Sequence, residues 1–497
     1  MPSSVRTSID EDAPTRPIRA RARAPGPRRL AIAPILALLL LVNLATGSLF
    51  QLPLNRLVEQ VLCREYYGTH DPSVDPSKGI NEELCKVDEV QKGLAWIVGM
   101  METGWILGDF IMTIPLGFLA EKYGRKVILW LNIAPRIFML SWTIIVGCSG
   151  LSPKVLIIGP ILSVFGGDCV FNSMTYYLAS SLTDDYVLRA TYFSWMSSVS
   201  YVVSFCGPAL AGFLMTVKLL LPFWLGVFLL LLAVPIVSIL PNLASPTTLN
   251  EDDDEQRQPL VSSPTLKARN SSASLMTPIV ERIRVLISTV RSRNLVFLLG
   301  SFFLTSLASS DTKLLAQYIS KRYHWTFASS GYLLSAKAVV NFILLTVIVP
   351  GVVTSRRSAD HLQSRALSDR ANIRYARICL VISVLGALAI ALAATIPFLV
   401  GSLMLYALGS ALPVFTLGLL KSPSVSPRDG DEPEGDSEMH VFSIVMMVKT
   451  LGSLVGAPLM AALWVRGIQT STLGVPYFVS AALYSATIGV FQGISLG

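Results

Sequence analysis

Eight ionisable side chains stand inside long apolar runs of this 497-residue chain: Glu102, Asp109, Arg136, Asp168, Asp311, Lys313, Lys337 and Lys449. A charge at the centre of a hydrocarbon layer costs about 2.5–3.5 kcal/mol even on a lenient insertion scale, so such groups persist where they face water or a partner. The chemistry open to them is proton carriage, ion pairing and recognition of a charged solute. Bond-making chemistry has no candidate. No glycine-rich phosphate loop is present, no Ser/His/Asp set has a supporting spacing, and His70, His324, His361 and His440 fall in loops or at helix ends. Neither a cofactor nor a metal is expected.

Asp109 and Arg136 lie about equally far from a polar turn centred near residues 122–123, between apolar runs at about 94–119 and 127–148. Antiparallel helices would bring them to one depth, as an ion pair or shared water network, or as a pin between two helices. Asp168 follows Gly166 and Gly167 midway along a run at 153–181, with no opposite charge in its own helix. A lone desolvated carboxylate suits a reversible proton carrier; a hydrogen-bonded packing role is the alternative. Asp311 and Lys313 sit near the end of a run at 294–318, as an outer gate or as interface residues. Lys337 and Lys449 lie further inside later runs, where snorkelling can relieve them. Positive groups in one half facing carboxylates in the other would suit a cavity between halves.

The elements that must position these groups are membrane helices. The chain is 52% hydrophobic and 14% charged, against about 25% charge in soluble domains. Runs of about 20 apolar residues, enough to cross a ~30 Å core, occur near 30–50, 94–119, 127–148, 153–181, 189–216 and 219–240. Six more follow near 294–318, 328–354, 376–396, 397–420, 440–465 and 474–495. Residues 1–29, with four prolines among 14–27 and seven arginines, read as a disordered cytoplasmic tail, and the first run as a retained helix. Residues 51–93 read as the one sizeable outer loop. Residues 241–293 read as a cytoplasmic linker carrying the acidic run Glu251–Glu255, its last part either an interfacial helix or a solvated one. The cations, including Arg125, Arg189, Arg356, Arg370, Arg374 and Arg377, then collect in loops on one side, so the net charge of +8 reflects topology and no nucleic-acid partner is expected.

Two internal matches predict duplicated halves, 30–240 and 294–497. Ile158 begins IGPILSVFGGD and Val400 begins VGSLMLYALGS, pairing Gly159 and Gly167 with Gly401 and Gly409; Gly207 in SFCGPALAGFL aligns with Gly456 in SLVGAPLMAAL. The offsets are 242 and 249 residues. Duplication of this kind is common in membrane carriers. Cys63 and Cys85 share the polar loop, so a disulfide is expected if that loop faces an oxidising side; two free thiols are the alternative.

The turn itself, GFLAEKYGRK from Gly117 to Lys126, resembles the major facilitator superfamily pattern G-x-L-A-D-R-x-G-R-K, with Glu121 and Lys122 replacing its Asp and Arg. The resemblance implies an all-α membrane protein of twelve transmembrane helices in two pseudo-symmetric six-helix bundles, and makes Gly117, Glu121, Gly124, Arg125 and Lys126 a cytoplasmic gate latch; an ordinary positive-inside loop is the plainer reading. Gly207, Pro208 and Gly212 resemble the family's antiporter signature, with Val203 and Ala211 departing from it; a structural kink explains the same residues. Ser163 stands where many proton-coupled members carry an arginine, so Asp168 or Asp109 would have to carry the proton. Including the stretches Cys63–Tyr67 and Leu314–Trp325, the chain resembles fungal facilitators distantly similar to the proton-coupled folate transporters. These likenesses imply a secondary transporter, not an enzyme: a monomeric plasma-membrane exporter of a small organic solute in exchange for protons. Proton-driven uptake of an organic anion or vitamin-like molecule, and a transporter-like receptor, are the alternatives.

Overall fold

The computed structural model describes residues 32–70, 80–182, 186–240, 293–344, 365–420 and 434–494, and among them the chain is helical, with no strand. Hydrocarbon offers backbone N–H and C=O groups no water, so each crossing must close its hydrogen bonds within itself, and helices do so. Twelve spans result when interrupted helices are counted once, and nine are long and apolar enough to cross a membrane by length and composition among the described residues. Two buried apolar clusters form the cores, one per half.

Span one is Ala33–Asn43, a π-helical turn Leu44–Ser48, and Leu49–His70. The outer loop expected from residue 51 is therefore helical for most of its first half. Leu54, Leu57, Val58 and Val61 recur at helical spacing under the paired Arg56 and Glu59, and that amphipathic pattern was masked by the polar composition. Spans two and three, Asp88–Tyr123 and Arg125–Ser149, meet at one residue, Gly124, whose φ of 91° lies in the region that favours glycine.

Span four is broken where one continuous helix was expected. A 3-10 segment, Pro153–Phe165, ends at Gly166 (φ 123°) and Gly167, and Asp168–Ser181 starts a new α-helix. Spans five and six are Tyr186–Val217 and Leu221–Ile239. Span seven runs through Arg293–Ser309, a 3-10 turn Ser310–Leu314 and Leu315–Tyr323. Its extra turns place Asp311 well inside and fully buried, which removes the interface-residue reading for that side chain. Span eight is Phe327–Ile343, span nine Arg365–Leu392 and span eleven Glu434–Gln469, with span twelve at Val475–Gln492. Span ten, Ile396–Leu408 and Leu412–Leu420, is interrupted by a 3-10 turn at Gly409–Ala411.

The halves repeat one another in packing. A methyl on Gly207 of span five would strike the Ser48 hydroxyl of span one, and one on Gly456 of span eleven would strike the Ser310 hydroxyl of span seven. The tail, the linker with its acidic run and the expected end of span eight at 345–354 lie outside the described residues.

Candidate functional site

Helix termini leave several backbone N–H groups without partners, and a break inside a span exposes them at membrane depth. In span four those donors point at Asp109 of span two. Its Oδ1 accepts from Gly167 N–H at 3.0 Å and Val170 N–H at 3.4 Å, and its Oδ2 from Cys169 N–H at 2.8 Å. Arg136, 1% exposed, does not pair directly with Asp109. Its Nη2 meets Asp168 Oδ1 at 2.8 Å, its Nε donates to Asn132 Oδ1 at 3.0 Å and its Nη1 to Thr46 at 3.2 Å. Asn132 in turn donates to Gly167 O at 2.9 Å. The expected similar depth of Asp109 and Arg136 holds, yet the break places Asp168 between them, and it is Asp168 that takes the guanidinium. Asp168 is not a lone carboxylate. Its side chain is 65% exposed, so the pair joins a buried cation to an exposed anion. Ser163, the residue that the family resemblance sets against an arginine, is buried with its Oγ 3.3 Å from Gly104 O, and a methyl on Gly108 would collide with it. Span two thus fills the space at that position, and the cation comes from span three.

The second half holds a cavity of about 350 Å³ in whose largely apolar wall stand the polar side chains of Ser306, Ser309, Asn341 and Ser410 and both Lys337 and Lys449. Lys337 Nζ lies 5.4 Å from the centroid of the Tyr406 ring. The Tyr406 hydroxyl reaches behind the wall to Asp311, 3.0 and 3.2 Å from its two oxygens, and lies 3.1 Å from the Tyr484 hydroxyl. Asp311 therefore balances part of the lysine charge from a dry position. The Lys449 carbonyl accepts from Ser306 Oγ at 2.6 Å, while its ammonium has no hydrogen-bond or ion-pair partner among the described residues. An unpaired ammonium lining a cavity can take an anion or a strong acceptor.

At the end bearing the disulfide, polar contacts join the halves. Lys313 of span seven pairs with Glu102 of span two. Gln317 donates to Asn55 Oδ1 at 2.9 Å, and Lys321 meets Asp88 at 2.6 Å. Lys86, 3% exposed, joins Glu59 at 2.7 Å, Glu82 at 3.3 Å and Ser320 Oγ at 2.5 Å, and lies 4.6 Å above the Phe327 ring. The Phe327 N–H donates to Glu82 at 2.7 Å. Cys63 and Cys85 are bonded here, tying the strap that carries Lys86 to span one. Sequence reasoning missed Arg56, Glu59, Glu82, Lys86 and Gln91; the Arg56/Glu59 spacing on an apolar helical stripe was the available signal. The antiporter-like segment also serves this closure. A methyl on Gly212 would lie 3.0 Å from Ala328 O, and one on Gly331 2.8 Å from Pro208 O, so spans five and eight touch through backbone.

At the opposite end, the residues of the latch-like turn separate. Gly117 has nothing within 4 Å of where a Cβ would stand, so no close packing requires glycine there. Arg125 lies over the Tyr177 ring at 3.4 Å, and Lys126 donates to Ser238 O at 3.1 Å. Glu121 belongs to the last turn of span two, and its side chain lies outside the described set. The basic residues therefore hold spans four and six within their own half.

These features can be set beside known proteins. The MFS efflux pump atnC of Emericella nidulans is 26% identical over 98% of this chain and 93% of its own length. The efflux pump ustT of Aspergillus flavus is 25% identical over 88% of this chain and 83% of its own. The human organic anion transporter MFSD10 superposes with a TM-score of 0.59 over 94% of this chain and 100% of its own, at 15% identity, a likeness of fold. The likeness to folate transporters finds no support among these relatives. With the family model of the Major Facilitator Superfamily matching residues 91–457, and twelve spans in two repeated halves around it, the chain belongs to that superfamily and is a membrane transporter, not an enzyme.

Proposed function

We propose that the protein exports a small organic solute in exchange for protons, by alternating which end of the two-half bundle is open. The observation that carries this reading is the pairing of a lysine-bearing cavity with ion pairs that cross between the halves at one end, Glu102–Lys313 and Lys321–Asp88. A carrier needs both: a place to hold solute and a closure that can be exchanged for another. The disulfide end is assigned to the outer face, where cystine persists, and the Gly124 end to the cytoplasm. Export is favoured because full-length relatives are named efflux pumps.

Lys449 and Lys337 contact the solute, which accordingly carries an anionic or acceptor-rich group. The Arg136–Asp168 pair couples: protonation of the exposed carboxylate releases the buried guanidinium, which then reorients the span-four break that Asp109 caps. The carrier acts as a monomer in the plasma membrane. The lysines equally suit proton-driven uptake of an organic anion, the second reading, and the two differ in which gradient drives accumulation. Purified protein in vesicles is expected to dissipate an imposed pH gradient when solute is added on the opposite side. If no compound in a panel of organic acids and neutral metabolites does so, antiport falls. Solute accumulating on the acidic side would favour antiport, and on the alkaline side uptake by symport.

A further inference from the structure

Span nine starts at the Gly124 end with Arg370, Arg374 and Arg377, about a turn apart on one face. Below them the same face continues with Ile378, Val381 and Ile382, and together with Ile494 after span twelve these residues line a groove of about 610 Å³. Ile378 and Val381 are each 45% exposed, so the groove opens toward the surroundings of the bundle and not into its centre. Arg377 donates through Nη2 to Phe491 O at 3.3 Å, and its Nε is buried without a partner. Arg370 and Arg374 have no hydrogen bond, ion pair or ring contact among the described residues.

The equivalent outer helix of the first half, span three, is different. Its basic start is satisfied within the protein, Arg125 by Tyr177 and Lys126 by Ser238 O. Unsatisfied guanidiniums one to two turns above an exposed apolar stripe match a molecule with a phosphate at one end and a hydrocarbon chain at the other. The depths agree as well. Arg370 and Arg377 are about 10 Å apart along the helix axis, close to the thickness of a headgroup layer of roughly 5–7 Å plus a glycerol backbone.

We propose that this groove is a binding site for an anionic phospholipid, its phosphate held by Arg370 and Arg374 and one acyl chain lying against Ile378, Val381 and Ile382. The competing occupant is the acidic run Glu251–Glu255 of the chain itself, and the observations favour lipid because the lower part of the groove is apolar. The full chain in phosphatidylcholine vesicles doped with spin-labelled phosphatidylserine or spin-labelled phosphatidylcholine tests it. Phosphatidylserine is expected to associate preferentially, and each arginine near the surface to account for about fivefold of that preference. The Arg370→Gln/Arg374→Gln variant should lose most of it, Arg374→Lys should keep it, and the unfolding temperature in phosphatidylcholine alone should stay that of the native chain. Equal association of both lipids with the native protein, or unchanged selectivity in the double variant, overturns the proposal. So does selectivity that emerges only when residues 251–255 are made neutral, since the linker would then be the occupant.

Discussion

Spans four and ten break at matched glycines, Gly167 and Gly409, at the 242-residue offset of the repeat, and the two breaks are furnished differently. In the first half a carboxylate, Asp109, accepts three backbone N–H groups, and the next residue, Asp168, is bound to the buried Arg136. In the second half the neutral Asn341 accepts from the Ser410 hydroxyl at 3.1 Å, and a methyl on Gly409 would meet Ser383. Ser410 occupies the repeat position of Asp168. One framework thus holds ionic partners at one break and hydroxyls at the other, and the hydroxyl break is the one that lines the lysine-bearing cavity. At the breaks themselves, the first copy carries carboxylates and an arginine where the second carries an amide and hydroxyls.

The largest effect is expected at the charged break. Asp109→Ala leaves three backbone donors without acceptors at membrane depth, a loss on the order of 3 kcal/mol or more, against about 1 kcal/mol for Asn341→Ala. Thermal unfolding in one detergent reads both, and equal losses would dissolve the contrast between halves. Next, Asp168→Asn should reduce proton-driven flux to that of empty vesicles while solute–solute exchange persists, and Ser410→Ala should leave both in place. Unchanged pH dependence in Asp168→Asn would remove that residue from coupling. A smaller change belongs to the cavity: Lys449→Gln should raise the KM for solute about tenfold with kcat little altered, the loss of one charge-assisted hydrogen bond. Smallest is Lys313→Glu. Repulsion from Glu102 should favour opening of the disulfide end, read as faster labelling of a cysteine placed at Thr312, and Glu102→Lys in the same chain should restore the slow rate.

Much of this was legible in residue types. Apolar runs placed the spans, the glycine matches placed the repeat, and charges stranded in oil marked Asp109, Arg136, Asp168, Lys337 and Lys449 as worth following. What failed is instructive in each case. The pairing of Arg136 with Asp168 depends on a break that no periodicity announces, because glycine permits an interruption without requiring one. Asp311 was misplaced because span seven continues through Lys321 and Arg322, cations that composition assigns to a loop. The Lys86 cluster was missed for the same reason: Arg56, Glu59, Glu82 and Gln91 look solvated one by one, yet in the assembled fold Glu59 and Gln91 are buried and Arg56 and Glu82 half-buried.

Gly124 leaves no slack between its neighbours. A single residue joins 36 and 25 residues of helix, so the ends of spans two and three that meet there cannot draw apart, although glycine leaves the angle between them free. Asp109 sits on one of these helices and Arg136 on the other, both holding the span-four break, and the Lys313 partner Glu102 lies about two turns from Asp109 on span two. Lengthening this joint by a few residues would free Arg136 from span two while leaving Glu102 and Asp109 together on one helix.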